Sequence, residues 1–415
     1  MSLIGELYAL GKGPVRSLGR LVRGQPLRPT SFVAMTLDAD DAALAERWLA
    51  EPARWEDDAP RREFEQAFAR WSGVERAFAF AAGREAFSAC LAAAGVGPGD
   101  EVVLPAYTCV VVRNAVQFRG ATVVWADIEL ESFGPDVADV ERRLTPRTRA
   151  LVVQHTFGLV CRDYEALVEL ARRRGLVLIE DCAHATGAEL HARKVGLRGD
   201  LAFYSSEHSK AFSTFQGGLA LARDPRWSAR LATEAEATPP TERERTAGLL
   251  RALVHDYQEH RDPARWWRGE LARARGRAGP TALTPEEKQG ARPAGYGRRL
   301  AAPLAAIGLH QLGKLDACNE RRRRTALRWD EWCTRHGYAR PLVLSGSTPI
   351  FLRYPVLVEP ERKRDLSWGL AEFGIKPGVW FRSHVHPVRE ALAGYPRSAE
   401  AVARCINLPC LLPSD

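Results

Sequence analysis

Lys210 stands between residues whose types and spacing could do chemistry together. Upstream runs Leu176-Val177-Leu178-Ile179-Glu180-Asp181-Cys182-Ala183-His184. Directly before the lysine comes Tyr204-Ser205-Ser206-Glu207-His208-Ser209, and after it Gln216-Gly217-Gly218. The first run reads as a buried parallel strand that delivers an acid at its carboxyl end, where open α/β sheets bind ligands. A buried acid there is costly without a cationic partner. Pyridoxal phosphate (PLP) chemistry needs a lysine amine for a Schiff base, a carboxylate to keep the pyridine nitrogen protonated, and small donors around a phosphate. A lone lysine between strand and loop is far more often a solvated charge, so the reading rests on the conjunction.

Several elements must position such a set. Short apolar runs recur at Ala77–Ala81, Val102–Pro105, Thr122–Ala126, Ala150–Gln154, Leu176–Glu180, Leu201–Ser205 and Gly218–Ala222, with helical segments between several of them. This alternation predicts an α/β fold with a seven-stranded, mostly parallel sheet covered on both faces. Amphipathic helices are expected at Asp38–Leu49 and Arg61–Trp71. Beyond Pro225 the pattern turns charge-rich. Leu249, Leu250, Leu253, Val254 and Tyr257 mark one helix face, and Gly279–Pro293 reads as an exposed linker. A helix from about Pro303 to Thr334 follows, then short alternating strands and helices. The expected division is an N-terminal arm and helix (1–60), a large domain (61–225), an inserted basic segment (226–295) and a small α+β domain (296–415).

With 415 residues, 46% of them hydrophobic, the chain can bury a large core and form more than one domain. No apolar run is long enough to span a bilayer and Met1-Ser2-Leu3 opens no signal-peptide pattern, so a cytoplasmic location is expected. Eight scattered cysteines without a Cys-x-x-Cys pair read as structural thiols, with no metal site or disulfide framework. The net charge of +8 resides in two stretches, Met1–Pro29 and Arg261–Arg277, each at +4, so the core is not a polyanion binder. Arg265-Trp266-Trp267-Arg268 could touch a membrane surface. A solvated flap over a dimer interface is the preferred reading there. Arg321 to Arg324 would spread over all faces of a helix, salt-bridging or solvated, which argues against nucleic acid.

The ordered blocks from Glu63 onward resemble the DegT/StrS family of PLP-dependent sugar aminotransferases, a branch of the type I aminotransferase fold. They include Trp71-Ser72-Gly73, Ala82-Gly83-Arg84-Glu85-Ala86, Gly97-Pro98-Gly99-Asp100-Glu101-Val102, Pro105-Ala106-Tyr107-Thr108, His155-Thr156-Phe157-Gly158, Glu180-Asp181 and the block Arg299–Leu315. The resemblance implies that Lys210 anchors PLP and acts as general base, that Asp181 pairs with the pyridine nitrogen, and that His184 bonds the phenolic oxygen. Ser205 and Gly83, with the amides of Arg84 and Glu85, would cradle the phosphate. Three positions depart from the pattern. Cys109 replaces a stacking aromatic, which leaves Tyr107 as a substitute; Gly297 replaces an Asn that reaches a neighbouring subunit's phosphate, with Arg298 or Arg299 as substitutes; Glu207 replaces a frequent His. The family implies a homodimer with shared sites, a keto-sugar acceptor, commonly nucleotide-linked, and glutamate as donor. Arg299, Arg382 and His384, with His386 beside it, are the candidate substrate contacts. Sugar dehydration on the same fold is the rival reading, disfavoured because relatives that dehydrate replace the lysine retained here. A non-catalytic regulator acting through the basic segments is the alternative from another class.

Overall fold

The structure, a computed structural model, describes residues 36–261, 283–390 and 392–412. The N-terminal arm through Pro29, and the basic stretch beyond Arg261 with Trp266 and Trp267, lie outside the described residues.

All seven apolar runs become strands of one sheet: β1 (Ala77–Phe80), β2 (Glu101–Pro105), β3 (Thr122–Ala126), β4 (Thr148–Gln154), β5 (Val177–Asp181), β6 (Leu201–Ser205) and β7 (Gly218–Leu221). Their spatial order is β1-β7-β6-β5-β4-β2-β3. Neighbours from β6 through β3 run parallel, and β7 alone opposes both its neighbours. Alternate residues enter two cores. Leu178, Leu151 and Val103 join one, whereas Val177, Ile179, Ala150, Val152 and Val102 join the other. With both faces covered, each buried Leu, Ile or Val contributes about 1.5–3 kcal/mol, which explains why these strands are apolar throughout rather than alternating.

A helix at Ala39–Ala50 starts at a capping box between Asp38 and Asp41, and another spans Ala59–Ser72. Helix Arg243–Arg261 buries Leu249, Leu250 and Leu253, as its periodicity predicts. The single helix expected over 303–334 is two, Ala302–Leu312 and Leu315–His336, broken at Gly313-Lys314. The break lets Lys314 Nζ reach Asp38 at 2.8 Å and Asp41 at 2.6 Å, a pull from distant sequence that the local pattern does not record. The second half of the 279–293 stretch is mostly exposed, as expected, but it carries a helical turn. Thr284 caps a short helix, Pro285–Lys288, whose Glu287 is 1% exposed. Arg353–Leu357 pairs antiparallel with Cys405–Pro409 over a third core containing Tyr107, Phe157, Trp329, Tyr354 and Phe381. Among the described residues, no helix is long and apolar enough to cross a membrane.

Candidate active site

Asp181 and Ser205 close the carboxyl ends of the parallel strands β5 and β6, with Asp181 beside Phe203 and Ser205 two residues further along. Glu180 and Asp181 then have opposite fates. Glu180 is fully buried and accepts from Tyr164 Oη, from His155 Nε2 at 3.2 Å, and from the amides of Gly196, Arg198 and Gly199 at 2.6–2.9 Å. Its acceptor capacity is spent on the scaffold. Asp181 accepts from the Ala183 amide at 3.0 Å and borders a cavity of about 420 Å³. Burial raises its pKa to about 6, against the opposing pull of the Ala183 amide and Lys210. That is the position of an acid awaiting a cation.

Lys210 rises into the same cavity from the loop between β6 and β7. The loop is tied shut by Ser206 N to Gly217 O at 3.0 Å, Thr214 N to Ser206 O at 2.9 Å, and the paired hydroxyls of Ser206 and Thr214 at 2.7 Å. From outside, Arg322 Nη2 donates to Ala211 O at 2.9 Å and Gln311 Oε1 accepts from Ser213 N at 3.1 Å. Arg322, one of four consecutive arginines read as solvated or salt-bridged, is thus 2% exposed and braces the lysine loop. Burial lowers the Lys210 pKa, with Glu207, Cys109 and Asp181 opposing it, so more of the amine is uncharged than in water. Its Nζ lies 4.3 Å from the centroid of the Trp380 ring.

His184 completes this end. Its Nδ1 accepts from Phe157 N at 3.3 Å, and burial, with the charges of Lys210 and Arg353, holds its pKa well below the usual value. A neutral ring that accepts at Nδ1 carries its proton on Nε2, so His184 is a donor.

At the opposite end, helix Gly83–Ala93 begins with no side-chain cap at Ala82. A Cβ on Gly83 would come within 2.8 Å of Ser205 Cβ, and one on Gly218 within 2.5 Å of the Gly83 backbone. Three chain segments therefore meet as bare backbone and one hydroxyl, at a helix N-terminus that favours an anion. Phosphate cradle, acid for a pyridine nitrogen, hydrogen-bond donor and amine share one cavity: the residues present fit PLP.

Gly83, Arg84, Cys109, Asp181, His184, Ser205 and Lys210 all border the cavity, and five other expected residues do not. Tyr107 is fully buried among Phe133, Phe157 and Phe381, so it cannot replace the aromatic missing at Cys109. Glu85 spends its amide on Ala82 O at 3.0 Å and its carboxylate on Arg298 N at 3.0 Å. Arg299 faces Asp58 at 3.8 Å. Arg382 borders a separate surface depression. His384 contributes its carbonyl, which accepts from Thr108 N at 2.9 Å, because 385–386 pairs with 108–109 as a short parallel ladder; that register turns His386 toward the cavity instead. Arg84 is paired with Glu287.

Sequence reading missed Trp380 and Arg353, both on the cavity wall. It also treated Glu207 only as a departure. Glu207 borders the cavity and pairs with His208 at 3.0 Å; although burial would raise its pKa, that pairing, Lys210 and Ser209 hold it at about 2. The Trp380-Phe381 pair just before the singled-out His384 and His386 was the one local signal.

Residues 39–413 match the model of the DegT/DnrJ/EryC1/StrS aminotransferase family. The chain is 40% identical to GDP-perosamine synthase of Caulobacter vibrioides over 41% of its length, which spans 45% of that synthase. It is 33% identical to L-glutamine:2-deoxy-scyllo-inosose aminotransferase of Streptomyces paromomycinus over 83% of its length and 71% of that protein. In fold it is similar to the aminotransferase TlmJ of Streptoalloteichus hindustanus, with a TM-score of 0.68, 24% identity and coverage of 92% and 93% of the two chains. The chain belongs to the DegT/DnrJ/EryC1/StrS aminotransferase family.

Proposed function

We propose that this protein moves an amino group from L-glutamine or L-glutamate to a ketone on a polyhydroxylated ring, either a nucleotide-linked keto sugar or an inosose-like cyclic ketone. The observation that carries the reading is the meeting of Lys210, Asp181 and the His184 N–H donor on one cavity wall. The names of the relatives support a ring-ketone acceptor. L-glutamine stands as donor in the name of the relative matched over most of the chain. We further propose that the protein works as a homodimer in the cytoplasm.

When bound, PLP supplies an electron sink for the carbon that gains or loses the amino group. Lys210 Nζ would anchor it and, as a free amine, would take the proton from the donor α-carbon; burial lowers its pKa, which leaves more of the amine free to act as a base. Asp181 would balance a positive charge at the pyridine nitrogen. His184 Nε2–H would donate to the phenolic oxygen. Gly83, the Arg84 amide and Ser205 would hold the phosphate end, and Phe87 and Phe203, stacked at 4.7 Å, line the same cavity.

The test is an absorbance spectrum of PLP-loaded protein before and after either amino acid. Replacement of the lysine-bound cofactor's visible band by the pyridoxamine phosphate spectrum is the expected result. A Lys210→Ala protein that still transfers amino groups would refute the assignment.

A further inference from the structure

The two candidate donors share an α-carboxylate, which draws equally on whatever cations the chamber offers and cannot tell one from the other. They differ only at the far end, where L-glutamine carries an amide and L-glutamate a carboxylate. Selection between them requires a group that senses charge and hydrogen-bond polarity within reach of Lys210.

Glu207 is such a group. Lys210 N donates to Glu207 O at 2.9 Å, a turn that holds the two α-carbons within about 7 Å of each other, and both side chains border the cavity. The nitrogen and the far-end carbon of either donor are about 5 Å apart when extended, so a donor seated at Lys210 spans that gap. Among the described residues, Asp181 and Glu207 are the carboxylates on the cavity wall, and the first is assigned to the pyridine nitrogen. Glu207 Oε1 accepts from His208 Nε2 at 3.0 Å, and Oε2 accepts from Ser209 N at 3.0 Å and from Ser209 Oγ. Burial opposes its charge, but His208, Lys210 and Ser209 outweigh burial and hold its pKa at about 2. A carboxylate offers about four lone-pair sites, which leaves one for a ligand.

An N–H of the glutamine amide can donate to that site. A glutamate carboxylate can only accept and brings like charge. At about 7 Å and an effective dielectric near 20, the repulsion is worth roughly 50-fold in binding, before the charge of His208 offsets part of it. The histidine frequent at this position in the family would carry no negative charge; the exchange to Glu207 reverses the polarity of this part of the wall. Resting on the cofactor reading above, we propose that Glu207 selects L-glutamine over L-glutamate as the amino donor, accepting from the side-chain amide of the first and repelling the side-chain carboxylate of the second. Attraction and repulsion then act on the same choice.

The test uses full-length, PLP-loaded protein and follows the initial rate at which the visible band of the lysine-bound cofactor is lost, over a range of concentrations of each amino acid. For the unaltered protein kcat/KM should be about 10- to 100-fold higher with L-glutamine than with L-glutamate. The α-methyl forms of the two acids have no α-proton to lose, and the concentrations that half-shift the band should differ by the same factor, which places the preference in binding. Glu207→Gln should reduce both ratios to less than about threefold, chiefly by improving L-glutamate. L-glutamate γ-methyl ester, uncharged but without an N–H at its far end, should fall between the two donors on the unaltered protein, a comparison that needs no variant to fold. Equal use of L-glutamate and L-glutamine by the unaltered protein, or a full preference kept by Glu207→Gln, overturns the assignment. A band that neither amino acid alters overturns the donor reading, and absence of the band before any amine is added overturns the cofactor reading; this inference falls with either.

Discussion

Arg322 donates to the carbonyl of Ala211, the residue that follows Lys210, across a contact of 2.9 Å, and to Asn319 Oδ1 at 2.7 Å. A helix of the C-terminal half therefore holds the reactive lysine's loop through one buried fork of donors. Arg322→Met leaves two buried acceptors without their donor and should destabilise the protein by about 2–3 kcal/mol. Arg322→Lys cannot reproduce the fork and should recover less than half. Urea unfolding measures both; a midpoint for Arg322→Met equal to that of the unaltered protein would contradict the bracing role.

The phosphate end predicts a graded pair of glycine variants. At Gly83 an added Cβ meets Ser205 Cβ at 2.8 Å and Ser205 Cα at 3.3 Å, so the end of β6 must give by a few tenths of an ångström. Gly83→Ala should fold and lose PLP affinity by about tenfold or more, as a displaced hydroxyl and backbone loosen their grip on the anion. At Gly218 the added atom meets the Gly83 backbone at 2.5 Å, where nothing can yield. Gly218→Ala should fail to accumulate as folded protein. Equilibrium dialysis and solubility decide, and the reverse order would mean that the cradle is misassigned.

Asp181 gives a pH dependence of definite sign. Its carboxyl is raised from 3.8 to about 6 in the fold, so the native state holds a proton that the unfolded chain releases earlier. Stability of the cofactor-free protein is therefore lost as pH rises from about 4 to 6, by roughly 3 kcal/mol in all. Asp181→Asn removes the penalty. It should stabilise the cofactor-free protein at pH 7.5 by about 1–3 kcal/mol and have little effect at pH 4. In the PLP-loaded protein the order should invert, since the charge then has its partner. Thermal unfolding with and without PLP at the two pH values reads all four states; stabilisation that is equal at both pH values would show that the carboxyl does not titrate in this window.

The sheet was legible because strands buried on both faces have nowhere to put polar residues, which makes the runs from Ala77 to Ala222 conspicuous. Lys210, Asp181 and Ser205 were legible for a related reason: each sits at or just beyond a strand end, so local sequence already fixes its place. Trp380 and Arg353 were not, since they reach the cavity from segments far along the chain and no spacing rule relates them to Lys210. Tyr107 misled because residues two apart on a strand share a face, yet the strand holds only Thr108–Cys109, and Tyr107 before it turns into the cluster of Phe133, Phe157 and Phe381. The arginine run concealed Arg322 for a similar reason. On a helix four consecutive residues face four ways, and one of them here faces inward.

The remaining pair, Arg84 and Glu287, links the site to the short helix that follows residue 283. Both side chains are nearly inaccessible, at 10% and 2% exposure, and the helix is further tied by Asn114 Nδ2 donating to Glu287 O at 2.7 Å. Removing one member of such a pair strands a charge in a poorly solvated place, whereas removing both need not. Glu287→Met should therefore destabilise the protein by about 3 kcal/mol or more, and Arg84→Met by a similar amount. The double variant should lie closer to the unaltered protein than the sum of the two, with a coupling of at least about 1 kcal/mol. PLP affinity should follow the same pattern, because Arg84 supplies both a pairing charge and a backbone amide beside Gly83, and only the amide survives substitution. A double-mutant cycle on unfolding midpoints and PLP dissociation constants measures both couplings. Strict additivity would mean that the 284–288 helix is held by its backbone contacts alone.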